Sequence, residues 1–135
     1  MRKNGRPGRI SGIRQSRSKR FEPSLPAGNG MKVRSRYERV CVELLETSGI
    51  SFQYEPLLLL DGHQYRPDFY LHEYNLFIEI CGFGHMPYYN DRVELKRQLY
   101  AKHNLKALFI PYNGRGSLKA LLKRELQNAG VALAA

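Results

Sequence analysis

YRPDFYLHEYNLFIEICG, Tyr65 to Gly82, decides how the chain is read. It divides into two short apolar strands, joined by a turn through His72 to Asn75. Each strand carries one carboxylate where an apolar residue is expected. Asp68 directly follows Pro67, and Glu79 lies inside Leu76-Phe77-Ile78-Glu79-Ile80-Cys81. Burying a charge in such a run is costly unless it is paired or binds a metal.

Working outward, the preceding residues continue the β pattern. Ser51 to Glu55 alternates as a half-buried strand, and Leu57 to Leu60 continues or pairs with it. Asp61-Gly62 is a hairpin turn, followed by a strand over Gln64 to Leu71. Together with Leu76 to Gly82 these predict an antiparallel meander of three consecutive strands.

Helices flank the meander. RSRYERVCVELLETSG predicts a first helix opened by Ser35, with Glu38 at capping-box spacing, and closed by Gly49. Tyr37, Val40, Cys41, Leu44 and Leu45 share a stripe, with Glu38 at its edge, while Arg36, Arg39, Glu43 and Glu46 face outward. After a loop over Gly82 to Asn90, Asp91 caps a helix to about His103. One face of that helix holds Arg92, Val93, Leu95, Lys96, Leu99, Tyr100 and His103. A lysine in the middle of an inward face is unusual. Lys106 to Pro111 predicts a fourth strand, returning parallel to the Leu76 strand, and Ser117 caps a last helix to about Asn128. The order is α-β-β-β-α-β-α.

The 135 residues suit one domain. The net charge is +10, and Met1 to Arg34 carry ten Lys/Arg against one acid, Glu22, or +9. Ser35 to Ala135 carry twelve against eleven, or +1, so the basicity belongs to the N-terminal part. Residues 1–30, rich in Gly, Pro, Ser and Arg, predict a flexible basic arm, with residues 31–135 as the domain. The arm offers Arg2, Lys3, Arg6, Arg9, Arg14, Arg17, Lys19 and Arg20 to nucleic-acid phosphates, and Lys32, Arg34 and Arg92 extend the set. A solubilising or targeting tail is the bland alternative. No run of about 18 apolar residues and no secretory core occurs, so an intracellular protein of cytoplasm or nucleoid is expected, with no membrane partner. Cys41 and Cys81 lack metal-ligand spacing and are expected as buried thiols. His63 and His85 have no motif around them and are read as loop residues.

Glu38, Asp68, Glu79 and Lys96 therefore stand out by position. Each has an ordinary alternative: a capping box for Glu38, a turn for Asp68, an ion pair for Glu79, and snorkelling for Lys96. One mechanism uses all four, metal-assisted phosphodiester hydrolysis. Asp68, Glu79 and the Ile80 carbonyl suit a hard cation such as Mg²⁺ or Mn²⁺, and Glu38 binds a second ion or orients the first. A lysine ammonium there positions the attacking water and stabilises developing charge.

These residues resemble the PD-(D/E)xK nucleases. Pro67-Asp68, then Glu79-Ile80-Cys81 after a ten-residue gap, match the family motif on the expected strand pair. The leading RSRYE helix is similar to that of phage-type resolvases and transposon-end nucleases, which implies a metal-site role for Glu38. The family's lysine place holds Cys81, and the resemblance to members whose lysine has moved to the next helix, with Tyr88, Lys96 and Tyr100 at matching spacing, assigns that role to Lys96, with Arg92 one turn earlier as the second candidate. The resemblance implies an α/β restriction-endonuclease-like core, α-β-β-β-α-β, with a mixed four- to five-stranded sheet flanked by helices, plus a C-terminal helix. It further implies a Mg²⁺-dependent DNA endonuclease of phage or mobile-element type, with RNA as the other possible nucleic acid, acting as a homodimer. The rival expectation is a catalytically inactive nucleic-acid-binding protein on a nuclease scaffold, with Cys81 recording the loss.

Overall fold

The structure, a computed structural model, describes residues 22–81 and 87–134, with side chains from 91 onward in the second span. The arm cations from Arg2 to Arg20, the loop with His85, and the Tyr88 side chain lie outside the described residues.

A hairpin comes first. β1 (Leu25–Ala27) pairs antiparallel with β2 (Met31–Val33), so ordered strand begins inside the span read as arm. Its turn enters at Gly28, φ +52°, where a Cβ would stand 2.0 Å from Glu46 Oε1. The positive φ favours glycine, and a larger residue would also make the Glu46 carboxylate move aside.

α1 (Arg36–Thr47) starts at Ser35, whose Oγ accepts the Glu38 N–H at 3.2 Å. It ends in a Schellman closure. The Gly49 N–H donates to the Glu46 carbonyl, and the Ile50 N–H to the Leu45 carbonyl at 2.9 Å. Gly49 takes φ +70°, and Ile50 is buried behind it. The same closure ends α2 (Pro87–Lys102), with Asn104 at φ +60°, and α3 (Leu118–Asn128), with Gly130 at φ +92°.

The central sheet has four strands in the order β3-β6-β7-β8. β3 (Phe52–Tyr54) and β7 (Leu76–Cys81) each lie antiparallel to β6 (Phe69–Leu71), and β8 (Lys106–Pro111) runs parallel to β7. A 3-10 turn at His72–Tyr74, closed by Asn75 at φ +50°, joins β6 to β7. The crossover through α2 gives the parallel step.

Leu57 to Leu60 does not extend β3. Glu55, at φ +49°, turns the chain away. β4 (Leu58–Leu60) then pairs with β5 (His63–Tyr65) across Asp61 and Gly62, both left-handed at φ +52° and +81°. Two positive φ values define the type I′ turn favoured by Asp-Gly. The strand expected over Gln64 to Leu71 is consequently broken into β5 and β6 at Arg66-Pro67-Asp68, because Pro67 has no N–H for a ladder. α2 also starts earlier than expected, at Pro87 instead of after Asp91.

Two cores lie on opposite faces of the sheet. On one, Cys41, Val42, Leu44 and Leu45 of α1 and Leu118, Leu122 and Leu126 of α3 pack on Phe69, Leu71, Ile78 and Ile110. On the other, Tyr100 of α2 packs with Leu60, Tyr65, Cys81 and Phe109. The period-2 alternation of β7 sends Leu76 and Ile78 to the first core and Phe77, Glu79 and Cys81 to the second face. Leu95 is a correction: it is 65% exposed, because Val93, Lys96 and Tyr100 set the inward phase of α2. The protein is thus mixed α/β, with a four-stranded mixed sheet and three helices among the described residues. Among those residues, no helix is long and apolar enough to cross a membrane.

Candidate functional site

Asp68 sits where the β6 ladder slips. Phe69 is opposite Ile78 in register, yet the Asp68 N–H also reaches the Ile78 carbonyl, at 3.0 Å. Two residues facing one is the pattern of a β-bulge, a device that re-aims a side chain. The Asp68 carbonyl accepts the Glu55 N–H, and Oδ2 accepts the Ile80 N–H at 2.7 Å. The carboxylate is thereby held between two strands while only 2% exposed. In an extended strand the N–H and C=O of one residue point to the same side, so the Ile80 carbonyl also faces the Asp68 edge. On the β8 side it is the Cys81 carbonyl that accepts, from the Tyr112 N–H.

Glu79 points to the α2 face and is 4% exposed. Lys96 Nζ donates to Oε1 at 2.8 Å and the Tyr100 hydroxyl to Oε2 at 2.8 Å. Lys96 and Tyr100 are one helical turn apart, and that spacing puts both donors on one carboxylate. The pair is interior on both sides, with 12% of the Lys96 and 5% of the Glu79 side chain exposed. Removing one partner from such a pair costs about 3–5 kcal/mol, because a buried charge is left behind.

Glu38 is also buried, 6% exposed, but its environment is separate. Its Oε1 accepts the Tyr54 hydroxyl at 2.6 Å and the Arg34 N–H at 2.9 Å. The cap is thus half a capping box: Ser35 receives the Glu38 N–H, while the carboxylate caps Arg34 instead of returning to Ser35. Burial first, then the hydrogen bond to Glu38, pushes the Tyr54 hydroxyl well above its ordinary value, which keeps it a donor. The Cys41 thiol is likewise pushed up, by complete burial first and then by the charges of Asp68 and Glu38.

Of the predicted residues, the structure brings Glu79 and Lys96 into direct contact. Among the described residues, no group of three or more His, Cys, Asp or Glu is placed to hold a metal ion. Cys81 lies in the α2-side core, in one cluster with Leu60 and Tyr65 from the inserted hairpin. A lysine there would put its charge among apolar groups, and Lys96 reaches Glu79 from the helix instead. His63 is a correction: it is exposed, but it opens strand β5 and pairs with Leu60 instead of lying in a loop. Arg34 is less available than the other cations, since its Nε meets Glu55 Oε2 at 2.6 Å. Burial lowers its pKa, but the hydrogen bond and charge of Glu55 outweigh that and raise it. Lys32 is exposed and Arg92 half-buried.

Tyr100 and Tyr54 were not singled out for the acids they serve. The family resemblance sets Tyr100 beside Lys96, whereas nothing in the sequence links Tyr54 to Glu38. Comparison with protein-family models, with curated proteins and with solved structures finds no match.

Proposed function

We propose that the protein is a metal-dependent DNA endonuclease built on a restriction-endonuclease-like core. The observation that carries this is a lysine from the helix after β7, held inside the protein on a strand carboxylate next to a second strand that carries Asp68. The donor set suits an oxygen-seeking divalent ion: Asp68, Glu79 and the Ile80 carbonyl would hold Mg²⁺ or Mn²⁺, with Glu38 oriented behind them. Each Glu79 oxygen accepts one hydrogen bond and retains a second lone pair. When bound, the ion acidifies a water and neutralises charge on the phosphodiester. Asp68 is oriented by the Ile80 N–H, Tyr100 fixes the Glu79 rotamer, and Lys96 supplies positive charge to the reacting phosphate. The basic residues of the N-terminal part supply phosphate affinity, and a homodimer would cut two strands. Of the α3 leucines, Leu118, Leu122 and Leu126 are buried in the core and Leu121 is half-buried.

A second reading, an inactive nucleic-acid-binding protein, is favoured by the lack of a three-ligand group among the described residues and by Cys81 in the lysine place. Nicking of supercoiled plasmid separates the two. With Mg²⁺, wild type is expected to cut, EDTA and Asp68→Asn to abolish cutting, and Lys96→Ala to slow it about 100-fold or more with binding kept. Salt-sensitive binding without turnover in wild type assigns the second reading. Equal metal-independent cutting by wild type and Asp68→Asn overturns the nuclease proposal.

A further inference from the structure

A groove of about 920 Å³ opens beside α1 and α3, its lining including the core leucines Leu44 and Leu118. Arg36 and Arg39 line it from the first turns of α1, and Lys119 and Lys123 from α3. None of these four cations has an ion pair among the described residues, and Glu43 is the one acid lining the groove. Four cations against one acid, none of the four ion-paired among the described residues, make the groove strongly positive. Tyr37 and Tyr112 meet edge to face in the same groove, with centroids 5.4 Å apart, and both are half-buried.

We infer that this groove binds a single-stranded nucleic-acid segment, as a site distinct from Glu79 and Lys96, which lie on the opposite face of the sheet. Cations that track a backbone beside aromatic faces that take bases are the chemistry of single-strand binding. A concave space of this size admits a few nucleotides, whereas a duplex is a convex rod that would lie across its rim. The basic N-terminal residues of this same chain are repelled by it, since both carry positive charge. The inference does not depend on cleavage, because Arg36, Arg39, Lys119 and Lys123 are separate from the proposed catalytic residues.

The test uses the full chain and a fluorescent 12-mer of single-stranded DNA, titrated at several salt concentrations in EDTA. The groove variant is Arg36→Gln/Arg39→Gln/Lys119→Gln/Lys123→Gln. A charge-matched variant, Arg97→Gln/Lys102→Gln/Lys106→Gln/Arg124→Gln, changes four exposed cations outside the groove. Thermal melts establish that both are folded. Each phosphate contact contributes about 0.7 to the slope of log K against log salt for single strands. The groove variant should therefore lose roughly 2–3 units of slope, clearly more than the charge-matched one. A Tyr37→Leu change should weaken binding about tenfold by removing a stacking face. Equal slope loss in the two four-site variants overturns the inference. So does poly-glutamate binding that depends on the groove while single-stranded DNA binding does not, which would assign an acidic peptide. Plasmid nicking is read separately, so failure here leaves the proposed catalysis standing, and failure there leaves the groove.

Discussion

Replacing Lys96 by methionine tests whether the ion pair organises the interior. The change keeps length and apolar stem and deletes only the ammonium, so Glu79 Oε1 loses its 2.8 Å partner and keeps Tyr100 on Oε2. With 12% and 5% of the two side chains exposed, solvent screens little of the loss. A broken buried pair costs about 3–5 kcal/mol, and the surviving tyrosine bond argues for the lower end, about 3 kcal/mol. For a domain of this size that lowers Tm by roughly 10–20 °C. Glu79→Gln in the same background removes the stranded charge, so the double variant should recover most of the loss. The cycle of Lys96→Met, Glu79→Gln and the double variant, followed by urea unfolding, should give a coupling of roughly 2–3 kcal/mol. A coupling near zero, with Lys96→Met costing under about 1 kcal/mol, would mean the pair is solvated. The proposed catalytic role of Lys96 would then lose its structural basis. The recovered double variant should still fail to nick plasmid, which separates folding from chemistry.

Further perturbations follow from the same contacts. Tyr100→Phe removes the donor to Glu79 Oε2 without a large change of volume, and should cost about 1–3 kcal/mol in chemical denaturation. A change below a few tenths would show that the hydroxyl is not holding the carboxylate. The Cys41 thiol, buried and pushed up in pKa, should resist alkylation at pH 8 in the folded protein and react at once in urea. Labelling of native Cys41 at the rate of a free thiol would contradict its place in the core. Asp61 is held below its ordinary value first by the hydrogen bond from Lys102, and its folded pKa is thus lower than its unfolded one. Its contribution is present above the unfolded value near 3.8 and is lost as pH falls through the folded value. Asp61→Asn should flatten that acid limb of stability, and an NMR titration of Asp61 at or above 3.8 would refute the assignment.

Local chemistry was legible wherever one residue type decides a backbone conformation. Ser35, Gly49, Ser117 and Asp61-Gly62 mark caps and a turn because their side chains, or the lack of one, satisfy helix ends and positive φ. The burial of Glu38, Asp68 and Glu79 could be read from their apolar neighbours, and the inward lysine from the phase of its helix. The break at Pro67 was harder, because the apolar pattern runs through it, and the slip at Asp68 depends on which carbonyl of the neighbouring strand is in reach. Leu95 shows the limit of the helical wheel: with Lys96 drawn inward by Glu79, a neighbouring leucine is left in solvent.

Composition and periodicity alone establish a basic N-terminal part ahead of a nearly neutral α/β region, the helices with their caps, and which acids are buried. Those are properties of neighbours along the chain. Partners are not. That Glu79 meets Lys96 and Tyr100, that Glu38 meets Tyr54, and that Cys81 shares a core with Leu60 and Tyr65 are matters of tertiary structure. Each of those contacts joins residues distant in sequence, brought together by the sheet order and the crossover through α2. The same holds for the groove cations, which look like ordinary solvent-facing charges on two separate helices until α1 and α3 lie side by side.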